Sequence, residues 1–179
     1  MKTNWVRSFL LAFALCIASL GILFFVTEQQ VGTAQPQKSY AITIDHDLSL
    51  KQMVEAGQHD WVGPYVTSKY FPLQGKGKER LVVEVVTIDH AMSSEKVIAQ
   101  LAGQGLRPAT IAELLAFSAA LIPKEQREYP IVALGSVVEV NDKRLVPSLS
   151  RDGAGRGLSL GWWLGGWLGG DRFLAVRNK

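Results

Sequence analysis

SLSRDGAGRGLSLGWWLGGWLGGDRFLAVR, residues 148–177, is the stretch that decides how this chain is read. Its first 24 residues, Ser148 to Asp171, use seven residue types and hold 8 of the 17 glycines and 3 of the 5 tryptophans. A flexible linker has no use for three indole rings, and an ordinary core has no use for so much glycine. Rigid aromatics set among Gly, Ser, Arg and Asp match the chemistry of binding loops. The composition therefore points to a scaffold that presents a surface. Behind it, Phe173 to Arg177 reads as a closing strand.

Inside the window, Leu158, Leu160 and Trp162 share one face of a candidate strand, and Ser159, Gly161 and Trp163 share the other. This alternation places Trp162 in the core, with Trp167 as a second core candidate, and turns Trp163 outward. Upstream, Ile131 to Val140 reads as a strand, Asn141-Asp142 as a two-residue hairpin turn and Lys143 to Val146 as its return. Thr110 and Glu113 form a capping box. Ile111, Leu114, Leu115, Ser118, Leu121 and Ile122 then make one helical stripe that Pro123 ends. Ser93 caps a helix to Ala102 with Val97, Ile98 and Leu101 inward. Ser49 and Gln52 cap a short one over Leu50, Met53 and Val54. Leu81 to Ile88, β-branched on both faces apart from Glu84, reads as a buried central strand. Trp61 to Leu73, with two prolines, reads as irregular. Helices first, then an antiparallel β-rich half with a long Gly-rich loop, make an α+β domain.

The N-terminal end sets the compartment. Phe9 to Val26 is 18 residues without a charge. As a helix it spans about 27 Å, close to the thickness of a hydrocarbon core. Lys2 and Arg7 precede it and Glu28 follows, so the positive-inside rule places the rest of the chain outside. Two readings stand: a single-pass signal anchor over residues 1–26, or secretion after cleavage near Ala34. Residues 27–39 read as a linker, 40–102 as an N-terminal α/β extension and 103–179 as the main domain. Of the formal charge of +3, Lys2 and Arg7 supply two, leaving 3 − 2 = +1 for the remainder. That is weak support for a nucleic-acid partner. Cys16, the one cysteine, lies in the apolar run, which excludes an intrachain disulfide and a Cys-ligated zinc site.

Gly105-Leu-Arg-Pro-Ala-Thr110, followed by Ala112-Glu113-Leu114, resembles the turn-to-helix element of C-type-lectin-like domains of the formylglycine-generating-enzyme type. Phe173-Leu-Ala-Val-Arg177 resembles the closing strand of the same fold. Pro-Ala-Thr stands where that family has Leu-Pro-Thr. The resemblance covers about residues 103–179 and implies two helices packed on antiparallel sheets, here behind an N-terminal transmembrane helix. Variable proteins of diversity-generating retroelements share this fold and carry a hypervariable, ligand-facing segment just before the last strand, the position of residues 148–171. Adenine-directed mutagenesis yields NNY codons, which cannot encode Lys, Glu, Gln, Met or Trp. The window lacks the first four and keeps Trp162, Trp163 and Trp167. Formylglycine formation needs a reactive cysteine pair, which Cys16 alone cannot supply.

The expected function is therefore non-catalytic binding of an extracellular protein or glycan, with the membrane as a second partner through the N-terminal helix. The candidate contact residues are Ser148, Ser150, Arg151, Asp152, Arg156, Ser159, Gly161, Trp163, Trp167 and Asp171. No cofactor, metal or nucleic acid is expected. Arg151, Arg156 and Arg172 near tryptophans suit base stacking, but an extracytoplasmic site argues against it. Asp152 and Asp171 alone are too few carboxylates for a calcium site. Gly153-Ala-Gly-Arg-Gly157 lacks the Gly-Lys-Ser/Thr end of a phosphate loop. Two alternatives stay open. One is a metal-dependent envelope enzyme using Asp45-His46-Asp47, His59-Asp60 and Asp89-His90. The other is a structural envelope protein whose Gly/Trp tail packs in an oligomer.

Overall fold

The computed structural model describes residues 38–120, 130–153 and 155–178. The apolar run Phe9–Val26, the alternative cleavage site expected near Ala34 and the expected helix end at Leu121–Pro123 lie outside the described residues. Among the described residues no helix is long and apolar enough to cross a membrane.

The elements follow in order: β1 (Lys38–Asp45), α1 (Leu50–Ala56), β2 (Trp61–Val62), β3 (Lys78–Thr87), α2 (Ser94–Gly103), β4 (Leu106–Pro108), α3 (Ile111–Ala120), β5 (Ile131–Val132), β6 (Val138–Val140), β7 (Lys143–Asp152), β8 (Gly155–Trp162) and β9 (Arg172–Arg177). One sheet joins all the strands in the order β1-β3-β9-β5-β7-β8-β2, with β4 beside β9 and β6 beside β7. The α+β class holds, but the expected antiparallel sheets are one mixed sheet. β5 pairs with β9, and β2 with β8, in parallel. Between Val132 and Arg172 the chain makes a long excursion, which is what a parallel return requires.

The boundary expected between 102 and 103 does not exist as a structural division. β9 lies between β3 and β5, so early and late strands share one sheet. Ile42 and Val83 pack in the same buried cluster as Leu114 and Leu174. This cluster fills the sheet face covered by α1 and α3. A second cluster on the other face joins Val86, Val132 and Phe173 to Val97 and Leu101 of α2 and to Trp163 and Trp167. As expected, the middle of β3 is buried from Val83 to Val86. Glu84 in that run is tied to Arg177.

Local chemistry sets the helix starts. Gln52 N–H donates to Ser49 Oγ at 3.3 Å, and Gln52 Oε1 accepts the Ser49 N–H at 2.9 Å. At α3, Glu113 Oε2 accepts the Thr110 N–H at 2.6 Å and Thr110 Oγ1 accepts the Glu113 N–H at 3.4 Å. Arg107 reaches the same buried carboxylate with both Nη atoms, at 3.0 and 2.5 Å. Asn141 (φ 50°) and Asp142 (φ 59°) form the expected two-residue turn. The expected single strand over Ile131–Val140 is broken instead. Gly135 N–H donates to the Ala109 carbonyl at 2.9 Å, and Ser136 Oγ accepts the Ile111 N–H at 2.9 Å. That detour supplies α3 with a second cap.

Glu113→Ala removes the cap of α3 and leaves Arg107 without its carboxylate. It is expected to cost about 3 kcal/mol, since Arg107 is half exposed and the pair is partly screened. Urea unfolding checks this, with Glu113→Gln retaining part of the cap and losing less.

Candidate functional site

The window expected to be a loop is mostly a hairpin. β7 and β8 pair from Leu145↔Trp162 down to Asp152↔Gly155, so the tip is two residues long. Asp60 holds that tip from the side. Its Oδ2 accepts the Arg156 N–H at 2.6 Å, and its own N–H donates to the Arg156 carbonyl at 2.8 Å. Arg156 Nη1 donates to the Gln58 carbonyl at 3.3 Å. The Trp61 indole lies directly over Gly157, where a Cβ would overlap the ring. Part of the glycine content thus has a steric cause inside the fold.

After β8 the chain forms a 3-10 turn at Trp163–Gly165 and runs back across the second sheet face to β9. Two indoles pin this loop down. Trp163 Nε1 donates to Glu95 Oε1 at 2.7 Å, and Trp167 Nε1 donates to Ser94 Oγ at 2.9 Å. Ser94 Oγ in turn donates to the Trp163 carbonyl at 2.8 Å. The Arg144 guanidinium sits 4.4 Å from the Trp163 ring centre, and Phe173 meets Trp167 edge-on at 5.4 Å. Trp167 and Met92 exchange backbone bonds at 2.9 and 3.0 Å. Asp171 Oδ2 accepts the Leu168 N–H at 2.8 Å. Gly169 passes so near the Asp89 carbonyl oxygen that a Cβ would stand 2.7 Å from it.

The large apolar residues beside the pins face out. Trp162 is 52% exposed, Leu164 68% and Leu168 70%, whereas Trp163 is 5% and Trp167 7% exposed. This reverses the expected burial of Trp162 and Trp163. Both lie on the strand faces expected of them. The core on the Leu158 side ends before Trp162, whereas α2 waits beneath Trp163. Lys143 Nζ lies 5.9 Å from the Trp162 ring centre.

Of the expected contact residues, Ser148 is buried in the sheet opposite Ser159, and Trp163 and Trp167 are core. They hold the surface up and do not line it. Gly161 sits half-buried, 3.2 Å by its would-be Cβ from Trp167. Asp171 is a half-buried turn cap. Arg151 is exposed, with Ser150, Arg156 and Ser159 half-buried along the hairpin. Asp152 closes β7 at the hairpin end. Sequence reasoning missed Trp162, Leu164, Leu168, Lys143 and Arg144. The available signal was the paired Trp162-Trp163 at a strand end, where one ring must lie on each face.

The three Asp/His pairs occupy separate neighbourhoods. His46 Nε2 lies 3.4 Å from Glu79, His59 Nε2 3.4 Å from Ser118 Oγ, and His90 Nδ1 2.5 Å from Asp89. Among the described residues no three metal-ligating side chains converge. Ser118, His59 and Asp60 are the residue types of a nucleophile triad, but the Asp60 carboxylate is engaged by Arg156 N–H. His59 Nδ1 has no hydrogen-bond partner among the described residues. Burial, and then the Arg156 charge, lower the His59 pKa to about 4, against the opposing pull of Asp60. Comparison with models of known families, with characterised proteins and with solved structures returns no match.

Trp163→Ala is expected to cost about 3–5 kcal/mol as a large core truncation, and Trp162→Ala less than about 0.5 kcal/mol as a surface change. Chemical denaturation of the two variants separates them. The His59 shift sets a pH dependence. The folded pKa lies below the ordinary 6.5, so as pH falls the unfolded chain takes up the proton first. Stability contributed at this site is complete above pH 6.5 and declines from there toward pH 4. Urea midpoints at pH 7, 6 and 5 should fall, and His59→Gln should flatten that slope.

Proposed function

We propose that this chain is a non-catalytic, envelope-tethered binding protein whose contact surface is the loop after β8, bordered by the β7–β8 hairpin. One observation carries the reading: Trp163 and Trp167 lock the loop to α2 while Trp162, Leu164 and Leu168 stand in solvent. Holding three large apolar side chains in water lowers solubility and contributes nothing to the fold. A rigid base under an exposed indole and two leucines is the make-up of an interface anchor, preorganised so that little entropy is lost on contact. The partner we favour is an extracellular protein or a glycan. Either suits an indole bordered by the Lys143 ammonium.

Two local features support the C-type-lectin-like reading of the scaffold. The Gly105–Thr110 element leads from a turn through β4 into α3, and the Phe173–Arg177 strand sits in mid-sheet. If the window belongs to a diversified family, variation would be tolerated at Arg151, Trp162, Leu164 and Leu168. Gly157 and Gly169 would stay constant, because Trp61 and the Asp89 carbonyl leave no room for a Cβ. A second, imperfect copy of the codons for about Pro147–Arg177 beside a reverse transcriptase would establish diversification.

The direct test applies the full-length chain to a glycan array and to intact cell envelopes. Trp162→Ala with Leu168→Ser should reduce retained signal at least about tenfold, the scale of a lost anchor residue, with the unfolding midpoint unchanged. Binding that survives both changes would locate the contact surface elsewhere.

A further inference from the structure

A strap of residues 58–63 ties the tip of the β7–β8 hairpin to α3. β2 lies within it and pairs with Gly157 and Leu158. Asp60 N–H donates to the Arg156 carbonyl and Gly63 N–H to the Leu158 carbonyl, each at 2.8 Å. Asp60 Oδ2 accepts the Arg156 N–H at 2.6 Å, and Arg156 Nη1 donates to the Gln58 carbonyl at 3.3 Å. On its inner side the strap inserts His59. The Nε2 edge of that ring lies 3.4 Å from Ser118 Oγ and against Gly57, where a Cβ would stand 2.5 Å from Nε2. Gly57 has φ −72°, which any residue adopts, so the ring and not the backbone excludes a side chain there.

Three features work against closure of this strap. Gln58 holds φ at 48°, in the left-handed region that disfavours a side chain. His59 Nδ1 and Trp61 Nε1 are both buried without a hydrogen-bond partner among the described residues. A segment held by few sheet bonds and carrying these costs opens before the sheet does. The groups around His59 give the opening a direction. Arg156 of β8 and Asp60 beside the ring are the charges that act on it, whereas α1 presents Gly57 and α3 presents Ser118, neither of them charged. The Asp60 carboxylate is already turned to the Arg156 N–H.

An imidazolium has two N–H donors, and the slot offers one acceptor, Ser118 Oγ. A proton taken from solvent therefore strands one N–H in the slot and sets a positive ring near the Arg156 guanidinium. In the open strap both donors reach water. We propose that residues 58–63 form an acid-released latch: protonation of His59 frees the strap from α3 and uncovers the outer edge of β8 along residues 156–158. In the closed strap the imidazole is pulled down to about 4, by burial first and by Arg156 second, from its ordinary 6.5. Between those values only the open strap takes the proton. Closure is thus complete above pH 6.5 and is lost progressively as pH falls toward 4. The latch is separate from the tryptophan loop and does not depend on the reading of that loop.

Hydrogen–deuterium exchange of the full-length chain in detergent micelles, corrected for the intrinsic pH dependence of exchange, reads the latch. Between pH 7 and 5 the protection of the Asp60, Gly63 and Arg156 amides should fall about tenfold, a figure that allows for solvent screening of the half-buried ring. This window lies above the ordinary carboxylate range, so the imidazole is what titrates in it. At each pH these amides should exchange at least about tenfold faster than those at the centre of β3. Low, non-denaturing urea should not speed them, because local opening exposes little surface. His59→Gln should remove the pH response. Arg156→Gln, which keeps the ring and removes the charge near it, should shrink the response. Protection that does not change with pH, or an undiminished response in either variant, would overturn the proposal. So would exchange at the rate and with the urea dependence of β3, which would place the response in global unfolding.

Discussion

The six residues Arg172–Arg177 hydrogen-bond to β3 on one side and to β5 and β4 on the other. With β9 absent, β1–β3 and β5–β7–β8 would be two separate ribbons, each with a long open edge. Phe173 and Ala175 face the second core cluster, and Leu174 and Val176 face the first. One strand near the C-terminus therefore joins both halves of the sheet and both halves of the core. It also ties down the loop that precedes it, which must return from β8 to the slot between β3 and β5. The run of four buried residues in β9 reflects this position: a strand covered on both faces has no reason to alternate.

That return path explains the unusual composition of the loop. The segment crosses the second sheet face in close contact with Asp89, Met92 and the start of α2. Backbone-to-backbone approach at that range excludes a side chain, which accounts for Gly169. The gaps left beside the backbone are filled by two indoles that also bring N–H donors to Glu95 and Ser94. Trp163 draws on that geometry, and the Glu95 carboxyl is held below its usual range by its own backbone N–H first and then by the Trp163 indole. Glycine and tryptophan are thus complementary devices here, one allowing close approach and the other locking it. The outward residues are what this rigid base leaves free for contact.

Much of the local structure was legible. The capping pairs Ser49/Gln52 and Thr110/Glu113, the stripe of α3 as far as Ser118, the strand expected at Leu81–Ile88 (found at Lys78–Thr87) and the turn at Asn141-Asp142 depend on neighbours within a few residues, and all are present. The misread elements depend on distant partners. Ile131–Val140 looks continuous, but Gly135 and Ser136 leave the ladder to bond Ala109 and Ile111. Ser148 reads as a polar contact residue, yet the sheet buries it against Ser159. The domain boundary after residue 102 followed from a shift in motif content, which has no bearing on which strands pair.

The Trp162-Trp163 pair marks the division. Alternation along β8 determined, from the sequence alone, that the two rings lie on opposite faces of the strand. Which of them is buried depends on where each core ends, and that is set by α2 and β3, residues that precede β8 by about seventy positions. The pairing of β3 with β9 has the same origin. The sequence determined that Leu81–Ile88 is a strand and that Phe173–Arg177 is another. Their register is fixed by how two cores fill at once, a sum over many distant contacts that no local pattern records.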